Sequence, residues 1–334
     1  MPARILVTGG AGFIGSHYVR ALLAAESGPR VTVLDKLTYA ANPANLSELG
    51  NHPSLRVVTG DICDPETVER VVADVDEIVH FAAETHVDRS ITDGRDFVLT
   101  NVVGTQVLLA AAVRHGVRRF VHVSTDEVYG SLPHGSWPEE HPLSPSSPYS
   151  ASKAASDLLA LSHHTTYGLD VRVTRCCNNY GPRQYPEKII PLFVSRLLNG
   201  DTVPLYGTGG NIREWIHVDD HVDALERVRT AGRAGQVYNI GSGVELTNRE
   251  LTAALLRHCG ADWDSSVVPA PDRPGHDQRY SVDTTKIRRE LGWSPRRDFH
   301  TALAETVDWY RTHRDWWRPA TSHHSPNPCK EPLP

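Results

Sequence analysis

The 334-residue sequence has no Cys-x-x-Cys pair, no His-Glu-x-x-His run and no long block of basic residues. Its five cysteines, Cys63, Cys176, Cys177, Cys259 and Cys329, are odd in number, which argues against both a disulfide framework and a zinc site. Eighteen histidines show no metal-ligand spacing, and doublets such as His163-His164 and His323-His324 read as solvated faces or tail, so no metal is expected. A formal net charge of -6 gives no footprint for nucleic acid or a membrane surface, and an anionic ligand therefore requires a local basic pocket. No charged leader precedes a long apolar stretch. The chain enters the strand-like run Arg4-Ile5-Leu6-Val7 at once, which predicts neither signal peptide nor membrane span, and a cytoplasmic location. Internal repeats are absent too.

What is present is an ordinary soluble balance, 40% hydrophobic and 22% charged, on a chain long enough for one elaborate domain or two interlocked ones. Short apolar runs read as buried parallel strands: Ile5-Leu6-Val7, Val31-Thr32-Val33-Leu34, Leu55-Arg56-Val57-Val58, Ile78-Val79-His80-Phe81 and Phe120-Val121-His122-Val123, with another at 169–173. Amphipathic helical stretches lie around 13–26, 65–73, 95–115 and 149–167. This alternation predicts an α/β fold, a doubly wound parallel sheet of Rossmann type, with a smaller α/β C-terminal substrate lobe. The boundaries expected are 1–180 for the dinucleotide-binding domain, with returning segments near 214–242 (Trp215–Val218 and Val237–Ile240), 181–318 for the lobe, and a disordered tail over 319–334.

Thr8-Gly9-Gly10-Ala11-Gly12-Phe13-Ile14-Gly15 follows the first strand and opens a helix. Gly9, Gly12 and Gly15 permit a tight turn, close approach of backbone to a pyrophosphate, and tight helix–strand packing; the helix N-terminus offers N–H groups to the phosphates. A lone glycine triplet is weak, but here strand and helix flank it correctly. Asp35 ends the second strand twenty residues beyond Gly15, where a carboxylate binds ribose hydroxyls and repels a 2′-phosphate, favouring NAD over NADP, although Lys36 beside it counts the other way. Asp61-Ile62 and Phe81-Ala82-Ala83 sit at strand ends on the same edge. Asp61 suits the adenine amino group, or else caps a helix ahead of Pro65.

Tyr149 and Lys153 lie one helical turn apart, so the ammonium is expected to stabilise the phenolate and lower the tyrosine pKa; Lys153 can also hold nicotinamide-ribose hydroxyls. The pair is common by chance. After a dinucleotide loop in a βαβ array it resembles the active site of the short-chain dehydrogenases/reductases, and the length and second lobe resemble the extended branch, which mostly acts on nucleotide sugars. Thr125-Asp126-Glu127 follows the fifth strand. Adjacent carboxylates at a sheet's catalytic edge are costly, and partial desolvation of one makes it an acid beside a base, unless they are a turn pair. Related epimerases carry small residues here; the triplet resembles that of the dTDP-glucose 4,6-dehydratases. So do the stretches 35–39, 82–90, 178–182, 186–191 and 273–280, and the resemblance covers about 4–317. Thr85, where serine is usual, and Arg183 and Tyr185 are departures that leave the chemistry intact.

The resemblance implies catalytic roles for Thr125, Asp126, Glu127, Tyr149 and Lys153. It implies that Phe13, Ile14, Lys36, Leu37, Thr38, Thr100 and Asn179 join the cofactor residues above, and that the chain forms a homodimer through the helices near 95–115 and 149–167. Tyr149 is expected to deprotonate the hydroxyl on carbon 4 of a hexose, Glu127 to remove the hydrogen on carbon 5, and protonated Asp126 to release the hydroxyl on carbon 6. Arg213 and Arg273 are expected on the substrate diphosphate because guanidinium matches phosphate in two prongs, with surface ion pairing the alternative for each. Asn178 and Asn248 add hydrogen bonds, and the family likeness adds Thr85, Lys188, Ile189, Pro204, Tyr206, His276 and Tyr280. An epimerase or decarboxylase of the same branch, or a silent NAD-binding protein, are the other readings; intact Tyr149, Lys153 and carboxylates count against the last.

Overall fold

Alternate residues of each central strand enter two different cores. Ile5, Val7, Val31 and Val33 face Tyr18 and Leu22 of the Phe13–Leu23 helix and Val222 and Leu225 of the Val218–Ala231 helix. Leu6, Leu34, Ile78 and Phe120 face Val68, Leu108 and Ala160 on the other side. Strands buried on both faces carry continuous β-branched and aliphatic runs, which is why the sheet is parallel and helix-covered. The computed structural model describes residues 2–25 and 28–322.

In chain order the strands are β1 (Arg4–Thr8), β2 (Arg30–Asp35), β3 (Leu55–Thr59), β4 (Glu77–His80), β5 (Arg119–Thr125), β6 (Val171–Cys176), β7 (Asn178–Tyr180), β8 (Val203–Tyr206), β9 (Ile212–His217), β10 (Gln236–Ile240), β11 (Glu245–Thr247) and β12 (Val267–Ala270). The central sheet runs β10-β6-β5-β4-β1-β2-β3, every pair parallel. Strand order reverses between β1 and β4, the switch point where open α/β sheets bind ligands at the strands' C-terminal ends.

Of the two segments expected to return, only Val237–Ile240 joins this sheet, as part of β10 beside β6. Trp215–Val218 does not. Its strand β9 is the middle of a separate sheet between β11 and β7, because Trp215 belongs to a third core with Tyr180, Phe193, Leu255, Leu303 and Trp317. That core underlies the smaller lobe, built on the helices Ile189–Asn199, Asn248–Cys259 and Phe299–Thr312 and the β8–β12 pair. A last helix, Arg314–Ser322, extends past residue 319; the rest of the expected tail, with Cys329 and His323-His324, lies outside the described residues.

The stretch Arg95–Arg114 is long and apolar enough by length and composition to cross a membrane, yet here it packs on the Pro65–Val72 and Pro148–Tyr167 helices. It is not a uniform helix: Val98–Gly104 is a π-helical segment. Asn101, 1% exposed, lies in that segment; its amide accepts from Glu84 N and donates to Glu84 O and to Ser152 Oγ, tying the loop after β4 to the Pro148–Tyr167 helix.

Candidate active site

The C-terminal ends of β1 to β6 and the facing lobe enclose one cavity of about 460 Å³. Gly9 takes φ +70°, and a Cβ there would stand 2.7 Å from Ala82 N. At Gly15 a Cβ would stand 2.2 Å from Gly9 O, so glycine is the residue that lets helix and loop meet. Gly12 is the N-cap of the Phe13–Leu23 helix, with no side-chain cap from the described residues, and it leaves a cradle of N–H groups that fits a pyrophosphate. Asp35 accepts from Ala11 N and Leu37 N, each at 2.9 Å, which aims its carboxylate across the end of β2. Lys36 Nζ is 2.7 Å from Asp61 Oδ2, so the cation that counted against NAD is engaged. The helix starting at Pro65 is capped by Asp64, which leaves Asp61 to the cavity. These groups fit a dinucleotide carrying free ribose hydroxyls.

Thr125 ends β5, and its hydroxyl accepts from Glu127 N at 3.2 Å, opening the 3₁₀ turn Asp126–Tyr129. Asp126 is 3% exposed, and its Oδ2 has no hydrogen-bond partner among the described residues. Burial, then the carboxyls of Glu127 and Glu214, hold its pKa well above the usual carboxylate range, which favours its protonated form. Burial also raises Glu127, but Lys188, Arg273 and Arg213 pull it back toward the charged form.

Ser147 and Ser150 form a capping box and Pro148 occupies the first turn, which starts the Pro148–Tyr167 helix one residue before Tyr149. Lys153 donates to Val123 O at 2.8 Å and is pushed down to about 8, chiefly by burial. The expected lowering of Tyr149 is not found: burial and then Glu127 hold its phenol well above the ordinary range, because it is packed against Phe97 beside two carboxyls.

On the lobe side Arg213 is no surface ion pair. It donates to Ile212 O and Asp277 O and lies over the Tyr280 ring at 4.3 Å. Arg273 does pair with Asp88, at 3.3 Å, while still lining the cavity. Lys188 donates to Thr85 O at 2.6 Å, and His276 meets Asp272 at 2.5 Å.

Every expected site residue lines this cavity except Leu37, including Ile62, Phe81, Ala83, Thr100, Asn178, Asn179, Ile189, Pro204, Tyr206 and Asn248. Leu37 has φ +56° and an exposed side chain; its contribution is the N–H to Asp35. Sequence reasoning missed Cys176, Gln184, Glu187 and Trp215, which also line it. Glu187 and Cys176 lay inside or beside quoted stretches, but nothing in their spacing marked them. Among the described residues no group of three or more His, Cys, Asp or Glu is arranged to hold a metal.

A family model described as GDP-mannose 4,6 dehydratase matches residues 6–306. A dTDP-glucose 4,6-dehydratase of Streptomyces niveus is 61% identical over 323 residues, 96% of each chain. The dTDP-glucose 4,6-dehydratase DesIV of Streptomyces venezuelae, crystallised with NAD and TYD bound, has a TM-score of 0.93 and 60% identity over 95% of this chain and 99% of its own. The UDP-glucose 4-epimerase of Thermotoga maritima, with UDP-glucose, shares the fold at TM-score 0.86 and 33% identity, over 92% and 99% of the two chains. A dinucleotide cradle, a tyrosine–lysine helix and an Asp–Glu turn around one cavity agree with those likenesses, and the chain belongs to the GDP-mannose 4,6 dehydratase family, in the extended branch of the short-chain dehydrogenases/reductases, beside its dTDP-glucose 4,6-dehydratases.

Proposed function

We propose that this chain converts dTDP-glucose to dTDP-4-keto-6-deoxyglucose with NAD as a retained cofactor. The observation that carries the reading is Asp126, a buried carboxyl with an unbonded oxygen, next to Glu127, a carboxyl faced by three cations. Epimerisation needs only a ketone that turns over. Dehydration needs an acid for a leaving hydroxyl and a base for the adjacent carbon; Asp126, the more strongly raised of the two, is assigned as the acid, and Glu127, which Lys188, Arg273 and Arg213 draw toward its charged form, as the base.

Bound NAD would supply a hydride acceptor for carbon 4 and, once reduced, the hydride for carbon 6, and the charge of its oxidised ring would favour the phenolate form of Tyr149. Tyr149, ionised in the holoenzyme with the help of that charge and of the Lys153 ammonium one helical turn away, takes the proton of the carbon-4 hydroxyl, with Thr125 hydrogen-bonding near that oxygen. The ketone acidifies carbon 5, and Glu127 removes its proton. Asp126 gives its proton to the carbon-6 hydroxyl, which departs as water, and Glu127 returns a proton to carbon 5. The sugar loses one water; Tyr149 ends one proton richer and Asp126 one poorer, and exchange with solvent resets both.

Gly9, Gly12, Gly15, Asp35 and Asp61 hold the dinucleotide, while Lys188, Arg213 and Arg273 neutralise the substrate diphosphate. Residues 1–180 with β10 thus serve the cofactor and residues 181–318 the sugar nucleotide. A homodimer belongs to the same reading, because Val98, Leu99, Val103 and Leu158 leave apolar side chains exposed on two adjacent helices. So does a cytoplasmic location, where nucleotide sugars and NAD are both available. Mass spectrometry after incubation with dTDP-glucose tests the activity: loss of one water is expected, and an unchanged mass with inverted stereochemistry would make the chain an epimerase.

A further inference from the structure

Behind the cavity, and lining none of it, lies a chain of buried polar side chains. Arg175 on β6 donates from Nε to Asp157 Oδ2 and from Nη1 to the Tyr129 hydroxyl, both at 2.8 Å, and its guanidinium lies 4.8 Å from the Tyr129 ring centre. Tyr129 donates onward to Asn239 Oδ1 at 2.9 Å, and Asn239 is the residue opposite Arg175 in the β10–β6 ladder. His122 Nε2 is 3.3 Å from the other Asp157 oxygen. The Arg175 and Asp157 side chains are 4% and 0% exposed.

A buried ion pair gives up hydration that its attraction only partly restores, and apolar side chains of similar volume often stabilise a core as well or better. Stability alone is therefore a poor reason for this pair, and its position offers a better one. Asp157 lies one helical turn beyond Lys153 on the helix that carries Tyr149. Tyr129 closes the 3₁₀ turn that carries Asp126 and Glu127. Arg175 is the link between them: the rigid fork of a guanidinium grips the helix on one side and the turn on the other.

We propose that Arg175, held between Asp157 and Tyr129, is a positioning residue that fixes the Asp126–Glu127 turn relative to the Tyr149–Lys153 helix and so keeps water elimination in register with the oxidation that precedes it. The inference rests on the dehydration proposed above. Oxidation depends on the helix, elimination on the turn, and both act on one hexose. Misplacement by an ångström costs on the order of 10²-fold in rate. Loosening the strut lets the turn drift while Tyr149 and Lys153 stay packed, so the elimination half of the reaction slows first.

Tyr129→Phe tests this, since it deletes one hydroxyl, keeps the ring beneath the guanidinium and touches nothing in the cavity. Rapid quenching of the holoenzyme with dTDP-glucose, followed by borodeuteride trapping and mass spectrometry, separates 4-keto sugar that retains its carbon-6 hydroxyl from the deoxy product. The expected result is oxidation near the wild-type rate, elimination slowed by about tenfold or more, accumulation of the undehydrated ketone, and faster amide hydrogen exchange at 126–130 than in wild type without a change at 149–153. Arg175→Lys, which keeps the charge and loses the fork, is expected to show the same imbalance. A wild-type ratio of the two ketones in Tyr129→Phe, whether or not its Tm falls, overturns the strut, and that variant decides the matter if Arg175→Lys does not fold. Wild-type enzyme that loses no water would instead overturn the dehydratase reading itself.

Discussion

Lys36 Nζ sits 2.7 Å from Asp61 Oδ2, joining the ends of β2 and β3 at the edge of the cavity. The pair is partly exposed, so its worth to stability is small, and its consequence is electrostatic. With Lys36 neutralised, Asp35 sets the sign of the field where a 2′-phosphate would lie. Asp61→Asn frees Lys36, and the NADP/NAD affinity ratio should rise by about tenfold, equivalent to ~1.4 kcal/mol. Fluorescence titration of the apoprotein measures it; an unchanged ratio would mean that Lys36 never faced the ribose.

Gly15 and Gly12 should respond differently to alanine. A Cβ at 15 would lie 2.2 Å from Gly9 O and forces loop and helix apart, a cost of about 1–3 kcal/mol. A Cβ at 12 meets only Gly9 O at 3.3 Å. Gly15→Ala is expected to lower Tm and abolish retained dinucleotide, while Gly12→Ala keeps Tm and weakens binding. Thermal melts alongside the NAD content of the purified protein distinguish the two.

Asp126→Asn cannot supply the departing hydroxyl with a proton, and Glu127→Gln cannot take one from carbon 5. Each should slow dehydration by ~10²–10⁴-fold while oxidation at carbon 4 survives. Solvent deuterium at carbon 5 reads out the difference: it enters in Asp126→Asn and not in Glu127→Gln. Uptake at the wild-type rate in Glu127→Gln would remove that residue as the base. Tyr149→Phe, by contrast, should stop the oxidation itself.

Lys153 has a pH signature. Burial lowers it to about 8 from 10.5, so between those values the unfolded chain binds the proton and the native one does not. Stability of the apoprotein should therefore rise with pH across that window, by on the order of 3 kcal/mol for this group, and the penalty is present in full below pH 8. Lys153→Met should remove the slope and raise Tm at neutral pH, though it abolishes activity. Denaturant melts from pH 7 to 10.5 check the sign, and a slope that survives in the variant belongs to another group.

Much of the architecture was readable in one dimension. Ile5, Leu6 and Val7 are all apolar because the strand is buried on both faces, and the glycine loop that follows announces a dinucleotide through its own backbone needs. The Tyr149–Lys153 pair and the Thr125–Glu127 triplet were legible only through the family likeness, since the first is common by chance and the second also suits a turn. The π-helical segment was not, since Asn101 is an ordinary polar residue in an amphipathic stretch until Glu84 and Ser152 are brought to it. Trp215–Val218 has the pattern of a sheet strand, but pattern does not say which sheet, and the Tyr180–Phe193–Trp215 core decided that.

Periodicity, turn glycines and capping residues act over a few residues, and so, while the roles proposed for Asp126, Glu127 and Tyr149 came from the family likeness, the alternation of strands and helices and the cofactor loop were determined by the sequence alone. Proton affinities were not, because they depend on water excluded by distant segments. Tyr149 moves up rather than down, Asp126 is raised toward its protonated form, and Arg273 faces Asp88 only after 185 residues of chain have been folded together. Desolvation and the partner of each charge belong to the tertiary structure, and they set the proton affinity of each carboxyl.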